Sequence, residues 1–151
     1  MILNIFDSLF FTELIQLFNV PYIMPKSVEW KNANPIVRYS GSISFDELIR
    51  VNEEFVQNPL FTKMIYQIHD LTHIDGVEIN DFQIDVISAR NSIFTRWNKN
   101  LLLIIICNDP VLIERILLYK KYMKELSWTV ELTEDVEKAI LIAGKHQSQF
   151  V

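Results

Sequence analysis

His69, Asp70, Thr72, His73 and Asp75 fall within one run of seven residues, the densest cluster of chemistry-bearing side chains in the chain. Imidazole and carboxylate together suit zinc or iron, so the sharpest reading they allow is a metal-dependent enzyme built on His69 and His73. The spacing opposes it. Along a strand His69 and Asp70 point to opposite faces, and His73 falls in what reads as a loop. The plainer reading is a strand end whose polar groups bond loop backbone, with no metal and no cofactor. Cys107, followed by Asn108 and Asp109, is a second candidate, a thiol nucleophile paired with a histidine. At the end of a Leu/Ile run it reads better as a small buried hydrophobe. As the one cysteine it excludes an internal disulfide and a Cys-cluster zinc site. No G-x-S-x-G or H-E-x-x-H motif is present. The three glycines, Gly41, Gly76 and Gly144, cannot assemble a P-loop or a G-x-G-x-x-G turn. No catalytic residue is therefore expected, and the chain reads as a non-enzyme.

Arg115, Lys120, Lys121 and Lys124 make a small basic patch that reads as a solvated helix face. Tyr119, Tyr122 and Trp97 read as core or rim packing rather than a base-stacking platform. Nineteen acids against fourteen Lys and Arg give a net charge of −5, which opposes nucleic-acid binding. Half of the residues are hydrophobic and 22% are charged, a balance that excludes a disordered chain. A single reduced, cytoplasmic domain is the expectation.

The elements that must position these residues alternate. Ser27–Trp30 and Ile36–Ser40 read as strands around a turn at Lys31–Pro35, longer than the minimum hairpin. Ser44 and Glu47 form a capping box before a helix that stops ahead of Pro59. Lys63–Leu71 reads as a strand, Thr72–Asn80 as a loop and Asp81–Trp97 as a helix. Leu101–Cys107 is apolar at every position, as expected of a central strand buried on both faces. Asp109 and Pro110 start a helix over Val111–Leu126. Trp128–Leu132 is a strand with Trp128, Val130 and Leu132 on one side. Thr133, Glu134 and Asp135 then open a last helix running to about Lys145. Strands alternating with helices imply parallel strands and right-handed crossovers.

Residues 1–24 stand apart. Asn4, Ser8, Thr12 and Gln16 recur every four residues, so a helix here carries one narrow polar stripe. Leu3, Phe6, Phe10, Leu14, Leu17 and Phe18 occupy its broad apolar remainder. The segment lacks the basic start of a secretory signal, and its polar residues interrupt a membrane span. With no Lys or Arg before Lys26, a membrane surface is disfavoured. Three readings remain: a helix packed on its own domain, residues 25–151, one that dimerises or docks a partner, and, least favoured, a membrane-surface helix. Either Met1 or Met24 suits a natural start.

Residues 28–143 resemble the SpoIIAA-like fold of STAS domains and anti-sigma-factor antagonists. Tyr39-Ser40-Gly41-Ser42-Ile43-Ser44 followed by Glu47-Leu48 looks like that family's strand-Gly-helix opening, and Tyr66–Thr72 looks like its D-L-S strand end. The resemblance implies an α/β fold of order β-β-α-β-α-β-α-β-α. Its sheet would be mostly parallel with one antiparallel edge strand, and here an extra N-terminal apolar helix is added. It also implies sequential strands with the main helices on one face, so that residues 1–20 are the expected cover for the other. The phosphorylatable hydroxyl of regulated STAS proteins is missing from Val77–Asp81, where Glu78 and Asp81 stand instead.

The implied activity is protein–protein contact by a regulatory module, as a homodimer through the N-terminal helix. Asp70, Thr72, His73, Asp75, Glu78, Asn80, Asn108 and Asp109 are its expected partner or ligand surface. A likeness of some relatives to lipid-carrying CRAL-TRIO domains supplies the alternative, carriage of a lipid or other apolar small molecule.

Overall fold

A computed structural model describes residues 26–151. The N-terminal segment, including the expected dimer or cover positions Leu3, Phe6, Phe10, Leu14, Leu17 and Phe18, lies outside the described residues.

Five strands form one sheet in sequential order, β1 (Lys26–Lys31), β2 (Asn34–Ile43), β3 (Tyr66–Val77), β4 (Leu102–Ile106) and β5 (Thr129–Thr133). β1 pairs antiparallel with β2, and every other pair is parallel. The helices are α1 (Phe45–Gln57), α2 (Asp81–Phe94), α3 (Pro110–Met123) and α4 (Val136–Gln147). This is the order expected from the alternation, with the antiparallel strand at the expected edge. Among the described residues no helix is long and apolar enough to cross a membrane.

Helix starts follow their caps. Ser44 Oγ accepts the Glu47 N–H at 3.2 Å while Glu47 Oε2 accepts the Ser44 N–H at 2.5 Å, the reciprocal box expected there. Asp109 accepts the Leu112 N–H at 2.8 Å ahead of Pro110, and Asp135 accepts the Lys138 N–H at 2.8 Å. A second reciprocal box, Asn80 with Gln83, opens α2.

The sheet has two buried faces. In register, Val37, His69, Ile105 and Leu132 lie side by side on one face, and Ile36, Ile68 and Ile104 on the other. The first face packs under α1, α2 and α3, around Val51, Phe55, Ile84, Tyr119 and Met123. Trp128 and Val130 join that core, the side expected for β5. The second face packs against Ala139 and Ala143 of α4. The central strand is buried on both faces as its composition requires, but its second side meets α4. That corrects the implied placing of all the main helices on one face: α4, with Ala139 and Ala143 inward, lies against Ile104 and Ile106, while the expected cover by residues 1–20 lies outside the described residues.

Several boundaries differ from the sequence reading: β3 starts at Tyr66 rather than Lys63, which lies in a 3-10 turn, and α3 ends at Met123 rather than Leu126. The β1–β2 turn is the two-residue minimum, Asn32-Ala33, because Asn32 adopts a left-handed φ of 56° that asparagine tolerates. α2 ends at Phe94 rather than Trp97. β3 continues to Val77, through the stretch read as a loop, pairing only with β2 beyond Asp70. Two register shifts in that extension each place an extra residue on β3. Leu71, Ile74 and Val77 therefore recur every three residues yet share a contact, against Cys107, Leu112 and Ile116.

Candidate functional site

His69 is a saturated interior histidine. Tyr39 Oη lies 2.8 Å from its Nδ1 and Gln67 Oε1 lies 3.1 Å from its Nε2. An amide oxygen only accepts, so Nε2 carries the proton and Nδ1 accepts from the tyrosine. The ring stacks on Tyr39 and meets Phe55 edge-on. Burial, with a smaller push from the Lys26 charge, lowers its pKa from 6.5 to about 4, so the imidazole is neutral at neutral pH. Burial likewise holds the Tyr39 and Tyr119 phenols protonated.

Asp70, on the opposite face as strand alternation requires, is buried. It accepts from Thr72 N at 3.0 Å and Thr72 Oγ1 at 2.6 Å, closing the first bulge of β3. His73 and Asp75 are exposed on the extension. His69 and His73 are thus not brought together, and among the described residues no three His, Cys, Asp or Glu side chains are grouped to hold a metal. Cys107 is buried, with burial pushing its thiol pKa upward, which favours the protonated form.

The rest of the expected surface is dispersed. Asn80 and Asp109 are spent on capping α2 and α3. Asn108 and Glu78 are exposed. The sheet pairing of β3 with β4 ends at Asp70, and β3 runs on for seven residues to Val77, roughly 20 Å of extended chain. Asp75 and Glu78 are carried off on that extension, away from the strand end shared with Asn108. Lys120 pairs with Glu131 on β5 at 3.1 Å, consistent with a solvated helix face.

The concavity lies elsewhere, between the first sheet face and the three helices above it. A cavity of about 150 Å³ is bounded below by Leu103 and Ile105 of β4. Leu48 and Val51 of α1, Ile84 and Ile87 of α2, and Leu112 and Ile116 of α3 line its helical side. Two short polar chains interrupt the apolar wall. One is the Tyr39–His69–Gln67 set. In the other, Asn52 Nδ2 donates to Asn91 Oδ1 at 2.5 Å and Asn91 Nδ2 donates to Tyr119 Oη at 2.7 Å. Arg115 stands at the rim, with its side chain 31% exposed and ion-paired to Asp81.

Of these residues the sequence reading singled out His69, Tyr119 and Arg115, and none as a cavity wall. Its missed signal lies in α2, where Ile84, Ser88 and Asn91 are all buried. Polar residues on the inward face of a helix that also carries exposed Phe82 and Ile93 erase its amphipathic contrast.

No family model matches the chain, and no curated protein does. Among solved structures it is similar to an uncharacterized protein from the DUF3478 family with a SpoIIAA-like fold from Shewanella loihica PV-4. The two are 11% identical over 76% of this chain and 88% of that one, with a TM-score of 0.44.

Proposed function

We propose that the chain is a binding module for a small apolar molecule, held between the sheet and helices α1 to α3. The observation that carries this is the cavity of about 150 Å³, walled mainly by Leu, Ile and Val from the sheet and all three helices. A largely apolar space of that size accommodates a benzene-sized molecule. The polar groups nearby support binding rather than chemistry. His69 is neutral and bonded at both nitrogens, and both tyrosines are protonated.

Calorimetric titration of the full chain with toluene tests this reading. Saturable one-to-one binding is expected, weakened at least tenfold by Ile84→Phe, which fills the cavity from α2. A chain that takes up no toluene would contradict it.

A second reading, contact with a partner protein or a second copy, is favoured by an apolar row along α2. Phe82, Ile93 and, just beyond the helix, Trp97 are 73%, 53% and 58% exposed. Light scattering of the full chain is then expected to give a dimer that Trp97→Glu converts to monomer. A monomer at all concentrations would remove the self-association form of this reading.

A further inference from the structure

The outer side of α2 has an order along its length. Wound at 3.6 residues per turn, Phe82, Val86, Ala89, Ile93 and Trp97 fall in one strip about 80° wide. The strip lies opposite the buried Ile84, Ser88 and Asn91. Trp97 stays on it beyond the helix end, because Arg96 N donates to Ile93 O at 3.3 Å and Trp97 N to Phe94 O at 2.9 Å. Ala89 is exposed and Val86 half-buried.

The strip reads nearly the same in both directions. A large ring stands at each end, a β-branched residue inside each ring, and the small Ala89 at the middle. Laid antiparallel on a second copy, Phe82 meets Trp97 of the partner subunit and Val86 meets the partner's Ile93. The two Ala89 side chains then fall at the crossing, where small side chains let helix axes come close.

Charge selects that orientation. Asp81 is paired to Arg115 and Arg90 to Glu53. Asp85 and Arg96 are exposed, lie on the same flank of the strip, and form no ion pair among the described residues. A twofold axis perpendicular to the helices brings like flanks together with their ends exchanged, so Asp85 of each copy meets Arg96 of the other. A parallel pair would set Asp85 against Asp85 and Arg96 against Arg96, a repulsive arrangement.

We propose that this strip is covered by the same strip of a second copy, in a twofold homodimer whose α2 helices pack antiparallel at Ala89 with two Asp85–Arg96 pairs across. The inference rests on the reading of the α2 row as a self-association surface and adds its orientation and its charge pairing. It is independent of the cavity, which lies on the inner side of α2.

Sedimentation velocity of the full chain over a concentration series tests it. Asp85→Arg and Arg96→Asp should each weaken the dimer roughly tenfold, since each reversal acts at two symmetric pairs. The double variant restores both pairs and should return to within about threefold of the wild type. Under mild oxidant Ala89→Cys should give a disulfide-linked dimer, whereas Asp85→Cys, whose copies lie apart at opposite ends of the crossing, should not.

A monomer at all concentrations would overturn the self-association reading and the inference with it, as would a dimer untouched by Trp97→Glu. A dimer lost in Trp97→Glu but not restored by the double reversal would overturn the antiparallel arrangement and leave self-association through α2 standing. Cross-linking through Asp85→Cys rather than Ala89→Cys would do the same.

Discussion

His69 shows how one residue changes meaning between sequence and structure. Beside Asp70, His73 and Asp75 it suggests a metal ligand. In the fold it spends both nitrogens on Tyr39 and Gln67 and lies against two aromatic rings. Its stability contribution has a defined sign. With a folded pKa of about 4 against 6.5 unfolded, the unfolded chain binds more protons between those values. The contribution is therefore complete above pH 6.5 and is lost as pH falls toward 4, amounting to on the order of 3 kcal/mol. Urea unfolding of the wild type and His69→Gln from pH 7 to pH 4 checks this. The wild type should lose more stability across that window than the variant, and parallel curves would contradict it. Strand alternation alone indicated that His69 and Asp70 part company. What it could not supply was the Tyr39 partner, which reaches His69 only once β2 and β3 are in register, whereas Gln67 lies two residues along the same strand on the same face.

At the scale of elements, caps and turns were the most legible features because their chemistry is local. Ser44, Asp109 and Asp135 cap where their spacing says they should. The β3 extension was not legible, because its two bulges convert a two-residue alternation into the three-residue spacing of Leu71, Ile74 and Val77. Gly41 lies on β2 at the second register shift with φ of 71°, a conformation that an L side chain strains. Gly41→Ala should cost about 1 kcal/mol by chemical unfolding.

Asn98 is another element-level device invisible in sequence. Its Nδ2 bonds the Phe61 and Met64 carbonyls, both at 2.8 Å, and its Oδ1 accepts from Asn100 N. It ties the segment after α2 to the approach of β3. Asn98→Ala strands these buried groups and should cost about 2–3 kcal/mol in the same assay.

For the molecule as a whole, composition and alternation carried the architecture: sequential strands, one antiparallel edge and a central strand apolar on both sides. Which helix covers which face was not carried by them. Ala139 and Ala143 are short side chains in an unremarkable helix until α4 is seen lying on Ile104 and Ile106. Ala139 is fully buried there, so Ala139→Leu should overpack that layer and cost about 1–3 kcal/mol. The cavity on the other face was equally hidden, because its wall is drawn from three helices and three strands far apart in sequence. It is nevertheless what turns a layered fold into a binding module, and it rests on interior space that can be probed atom by atom. Methyl-resolved NMR of the full chain during a toluene titration tests that directly. The account predicts saturable shifts centred on Leu48, Val51, Ile84, Leu103 and Ile105. Shifts that are absent, or confined to exposed residues such as Phe82 and Trp97, would contradict it.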